Sequence, residues 1–141
     1  MSRTRDWSLA FGISFGLSGI APPALAHHSF AMFDFEKTVS IEGTIRQFQW
    51  TNPHVVIWVD VPSAEGEEPK LWAVEITSPG NLMRAGWTKR SFNPGDRVSV
   101  SLGPLRNGRT GGAFQGAKNL TTGEDLVYDY AKLAQVQGGR E

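Results

Sequence analysis

The chain contains no cysteine. That absence excludes disulfides, thiolate metal ligands and a cysteine nucleophile. Nor is there a surplus of either charge, because 14 basic residues face 14 acidic ones. A balanced chain has no electrostatic footprint for nucleic acid or for an anionic membrane, so neither is expected as a partner. No internal repeat and no second domain can be traced, and no apolar run reaches the ~20 residues a membrane-spanning helix requires. Ser29 and Ser78 lack a nucleophile-elbow context. The loop Arg106 to Gly112 is basic and Gly-rich, with amides able to cradle an anion, but it matches no phosphate-loop pattern. Histidine is scarce, with three in 141 residues.

What is present begins with an export signal. Arg3 and Arg5 precede an apolar run from Leu9 to Ala21, Pro22-Pro23 breaks it, and Ala24-Leu25-Ala26 supplies a small-x-small cleavage site. Residues 1–26 therefore read as a signal peptide of the Sec type, without a twin-Arg pair. Cleavage after Ala26 leaves no stable membrane span, and the expected location is the periplasm. The signal takes Arg3, Arg5 and Asp6 with it, so the mature chain keeps 12 basic and 13 acidic residues.

The mature chain, residues 27–134, reads as one domain, with 135–141 as a frayed tail. An aromatic lead-in (Phe30, Met32, Phe33, Phe35) is followed by a strand from Val39 to Trp50, in which Gly43 suggests a bulge or sharp bend. After the turn Thr51-Asn52-Pro53, the stretch His54 to Val61 alternates, with Val55, Ile57, Val59 and Val61 on one side. Leu71 to Thr77 is a third strand. Ser78-Pro79 caps a short helix ended by Gly86, and Val98, Val100 and Leu102 mark a fourth strand. Ala113 to Leu120 and Leu126 to Tyr130 follow as a weak fifth strand and a closing one. Three strands, a short helix and two or three further strands is the order of an OB-type barrel. The expected fold is mainly β, a five- to six-stranded OB-like barrel with one helix between strands three and four.

Several ordered pieces also resemble a known family: His27-His28-Ser29-Phe30, Phe33-Asp34, Trp50-Thr51-Asn52-Pro53-His54, Trp72-x-Val74-Glu75, Ser78-Pro79 with Leu82, Gly86-Trp87, and Pro94-Gly95-Asp96 with Val98. Together they resemble the small exported bacterial proteins grouped as domain of unknown function 6152. The resemblance implies a single exported domain in a Gram-negative bacterium and brings no activity with it.

Two constellations are candidates for chemistry. Cleavage after Ala26 frees the α-amine of His27, and this amine, the His27 imidazole and His54 form an all-nitrogen set suited to Cu(II). A free amine followed by a second-position histidine also chelates copper, so His28 can replace either imidazole. The roughly 11 residues from His27 to Lys37 reach back about 30 Å when extended. The opposing reading has His54 closing a turn and the other two merely exposed at a processed end. The second constellation is the outward face of strands two and three, where His54, Trp58, Asp60 and Glu75, joined by Arg46 and Trp50, form a ligand surface of the kind OB folds use. Its opposing reading is a second small core, with these Trp covered by the lead-in. Asp60 and Glu75 sharing a strand face is no evidence for acid–base catalysis, since alternation places some carboxylates together on any sheet. The expected function is thus a non-enzymatic periplasmic binding protein for a metal ion, copper first, or a small ligand. An interaction module for a protein or small ligand is the alternative, and a copper-dependent redox enzyme the third reading.

Overall fold

The barrel turns on its first strand, β1 (Val39–Gln49). In the computed structural model, which describes residues 30–128, its first half pairs with β4 (Arg97–Pro104) and its second half with β2 (Val56–Val61). One strand serving two neighbours in succession must coil, and Gly43 sits where the partners change. A Cβ there would run into the Asp60 carbonyl oxygen and lie 2.8 Å from Val59 Cγ1. The sequence expectation of a bulge or bend at Gly43 divides in two: Gly43 permits the close approach, while the bulge itself lies between Ile45 and Gln47.

β2 pairs antiparallel with β3 (Lys70–Glu75), and β4 with β5 (Gly111–Asn119). The parallel pairing of β3 with β5, from Ala73↔Gly111 to Glu75↔Ala113, closes a five-stranded barrel, and β6 (Asp125–Val127) adds to the far half of β5. Closure depends on glycine. A Cβ on Gly111 would stand 2.7 Å from the Ala73 carbonyl oxygen, and one on Gly112 would strike the Gly103 carbonyl oxygen and come within 2.6 Å of Leu102 Cδ1. The stretch that reads as a loop from Arg106 to Gly112 therefore gives its last two residues to β5.

Between β3 and β4 lies α1 (Pro79–Arg84), as expected for an OB-type barrel. Ser78 Oγ accepts the Asn81 amide at 3.3 Å, Pro79 opens the helix, and Gly86 at φ +88° ends it. Leu82 is fully buried, so the helix closes one end of the barrel. The interior alternates as the sequence implies: Val55, Ile57 and Val59 on the β2 segment, Val74 and Ile76 on the β3 segment, and Val98, Val100 and Leu102 on β4 are all buried. Each such side chain contributes about 1.5–3 kcal/mol, which is how a chain without disulfides holds its fold. Phe92, Trp87 and Phe114 continue the core as a run of edge-on ring contacts, with centroids 6.0 and 5.4 Å apart.

Candidate functional site

The lead-in is bound backbone-first to the end of β4. The Asp34 amide donates to the Pro104 carbonyl at 2.8 Å, the Arg106 amide donates to the Met32 carbonyl at 3.0 Å, and Phe33 bridges to Leu105. Arg106 also donates from Nε to the Phe33 carbonyl at 3.1 Å. The Asp34 carboxylate reinforces the turn that follows, 3.3 Å from Lys37 Nζ and 3.7 Å from Arg106 Nη2. Burial opposes the Asp34 charge, yet the Lys37 hydrogen bond, the Arg106 and Lys37 charges and the Glu36 amide outweigh it. The carboxyl is held below its ordinary value of 3.8. Arg106, the first residue of the basic, Gly-rich loop, is thus engaged by the lead-in.

This strap brings Met32 and Phe33 over the outward face of β2 and β3. They wall a narrow groove together with Val56, Trp58, Ala73, Glu75, Leu105 and Gly112. Phe33 is buried, while Trp58 is half-covered and its indole Nε1 donates to Gln49 Oε1 at 3.0 Å. The groove therefore has the character of the second small core weighed above, with one carboxylate in its wall. That carboxylate is engaged: His54 Nδ1 donates to Glu75 Oε1 at 2.5 Å, with about a third of each side chain exposed (33% and 29%). The register explains the meeting. Val56 pairs with Glu75, and the ladder runs on through the Val55 amide to Thr77 and the Ile76 amide to Val55, which sets His54 beside the end of β3.

The other proposed face residues lie elsewhere. Asp60 is at the opposite end of β2, paired with Arg46 at 2.6 and 2.9 Å, an exposed ion pair worth about 0–1 kcal/mol. Trp50 belongs to the inner side, not the outer one. It packs against the core and meets Phe48 edge-on at 5.5 Å, and Phe48 meets Phe92 in the same way. The cause is the bulge at Arg46. Before it, Ile41 and Ile45 face inward; the extra residue reverses the parity, so that Phe48 and Trp50 face inward and Gln47 and Gln49 outward. Trp50 instead borders an open hollow beside α1, with Met83, Trp87, Thr88, Lys89 and Arg90. Beyond β6, burial pushes the Tyr128 phenol up, against the opposing hydrogen bond with Thr77 and the Arg84 charge.

Sequence reasoning missed Leu105 and Gly112 as groove walls. Leu105 faces the groove beside the lead-in it pairs with, a pairing that no periodicity announces. His27, His28, the signal peptide and the 135–141 tail lie outside the described residues. Among the described residues, no three His, Cys, Asp or Glu side chains gather to hold a metal, so the His54–Glu75 pair needs donors from elsewhere to complete a metal site.

A solved structure similar to this one is the mitochondrial single-stranded DNA binding protein Rim1 of S. cerevisiae, at 11% identity and a TM-score of 0.45, over 66% of this chain and 97% of that one. No curated protein matches the sequence. Residues 16–115 match a family described as one of unknown function, DUF6152, and the chain belongs to that family.

Proposed function

We propose that the protein is an exported binding domain of the periplasm, and that its ligand is a copper ion held at the end of the lead-in groove. The donors are the mature N-terminal amine, an imidazole of His27 or His28, and His54. The path of the lead-in carries this reading: Met32 and Phe33 line the same groove as Glu75, and Glu75 binds His54. Phe30–Met32 form a single 3-10 turn, and three residues of chain lead from Phe30 back to His27, at most about 10 Å when fully extended.

Glu75 fits the role of an orienting carboxylate. A carboxylate on one ring nitrogen fixes the tautomer, makes the imidazole a better ligand, and directs the opposite nitrogen, Nε2, toward a metal. The size of the groove also weighs in. At about 190 Å³ it falls below the ~300–1,000 Å³ of sites for organic ligands. It suits an ion with its donors better than a whole cofactor. Nucleic acid is the poorer fit, because a single strand needs a basic groove as well as stacking rings, and the charged wall here is Glu75.

The test is Cu(II) titration of the secreted form by EPR, after its mass and N-terminal sequence have been read. Cleavage before His27, one equivalent of copper in a nitrogen-rich environment, and a changed signal in His54→Ala are the expected results. Acetylating the mature terminus should weaken binding, because the blocked amine can no longer complete the chelate ring. No nitrogen-rich signal, or one indifferent to His54→Ala, overturns the copper reading.

A further inference from the structure

We propose that the hollow between Trp50 and Trp87 is a second binding site, independent of the copper reading, and that it takes an aromatic carboxylate. The floor is apolar: the partly buried Trp50 indole and an edge of the buried Trp87, with the Met83 side chain at the rim, 61% exposed. Met83 thus gives an apolar lip to a hollow of about 470 Å³. The volume lies within the ~300–1,000 Å³ range of small-ligand sites, unlike the groove under the lead-in.

The rim decides the charge of the ligand. Lys89 and Arg90 border the hollow with Thr88, and no carboxylate does. Among the described residues neither cation takes part in an ion pair. Arg84 is turned away, onto Asn81 Oδ1 at 2.6 Å. The loop that carries the two cations is itself fixed, since the Thr88 amide donates to Ser91 Oγ at 3.0 Å and the Arg90 amide to Thr88 Oγ1 at 3.1 Å. An Arg fork and an ammonium beside indole rings match a carboxylate attached to a flat apolar body. The ring makes edge or offset contacts with the indoles, and the carboxylate takes charge-assisted hydrogen bonds at the rim.

The probe is 2-naphthoate, added to the mature protein and followed by amide and indole NMR shifts. Saturable shifts are expected at the Trp50 and Trp87 indoles and at residues 88–90, with Trp58 unmoved. The neutral alcohol of the same ring system should bind about tenfold more weakly, as befits the loss of a charge-assisted contact. Lys89→Gln with Arg90→Gln should erase that preference. Met83→Glu, at an exposed position that leaves the fold intact, should block the site outright. Shifts centred on Trp58, equal binding of the alcohol, or equal binding of decanoate overturns the proposal. So does self-association of the ligand-free protein through these residues, since a second copy would then be the occupant.

Discussion

Two tryptophans eight residues apart meet opposite fates on this barrel. Trp58 faces outward, is roofed by the chain's own lead-in and has its indole N–H bound to Gln49. Trp50 faces inward, rests on Phe48, and borders a hollow that Lys89 and Arg90 rim and no segment among the described residues covers. The comparison teaches that aromatic content does not identify a ligand surface; what closes over it does. The covered groove is small and ends at a His–carboxylate pair, which favours an ion. The open hollow is larger and cationic, which favours an anion with a flat body.

The sharpest way to break the contrast is to remove the ground beneath the covered groove. Gly112 forms part of its wall and also lets β5 pass against Gly103. Gly112→Val drives a side chain into backbone that cannot yield, so barrel closure should be lost at a cost above about 4 kcal/mol. Urea unfolding followed by circular dichroism would read this as a lost or broadened transition. Met83→Ala, on the rim of the open hollow, is the control and should stay within about 0.5 kcal/mol of wild type. A well-folded Gly112→Val variant would mean that the close passage of β5 against Gly103 on β4 is not essential.

The next largest effect separates roof from barrel. Phe33 is 5% exposed and anchors the lead-in. Phe33→Ala should cost about 3 kcal/mol, at the lower end for a buried ring because the lead-in can settle onto the face. Trp58 fluorescence should shift to the red while the Trp50 indole resonance stays in place. Equal perturbation of both tryptophans would erase the distinction between the regions.

Much of this contrast was legible in advance, and the illegible part has one physical origin. The alternation at Val55, Ile57 and Val59, the Ser78-Pro79 start of α1 and the Val98–Leu102 run each carry their own period, so the barrel order could be read. His54 and Glu75 could be placed on neighbouring strands, although only the register shows that they touch. Trp50 was misplaced because parity is counted along a strand, and one unpaired residue at Arg46 reverses it. Nothing in Ile45-Arg46-Gln47 marks the bulge. A lead-in that covers the outward Trp is one of the two readings the sequence offers, but its seat on Pro104 to Arg106 rests on backbone bonds, to which composition is blind.

A smaller effect tests whether the His54–Glu75 pair orients a metal ligand or only closes a turn. Glu75→Gln keeps the shape and a hydrogen-bonding oxygen but removes the charge that supports the imidazole. Copper affinity should fall about tenfold, the lower end of the loss found for orienting partners. Stability without metal should barely change, because the pair is partly exposed and worth little on its own. Isothermal titration in parallel with urea unfolding distinguishes the two. Lost stability with unchanged copper affinity would assign the pair to the turn alone.

The smallest effect concerns the clasp of the roof and appears only in acid. The Asp34 carboxyl is held below 3.8 in the folded protein, so protonation weakens a contact that the unfolded chain lacks. A depressed carboxyl contributes its full stability above the unfolded value, and loses it as the pH falls through the folded one. The difference in unfolding free energy between wild type and Asp34→Asn should therefore be constant above about pH 5, and shrink steadily below 3.8. Urea midpoints measured from neutral pH downward would show the two curves converging, with carboxylates elsewhere cancelling between the two proteins. The open hollow offers the internal reference: no carboxylate lines it, so 2-naphthoate binding by the two proteins should stay equal wherever both remain folded. Curves that run parallel to the lowest pH would show that Lys37 and Arg106 do not hold the lead-in through charge, leaving the backbone bonds to Pro104 and Arg106 as its fastening.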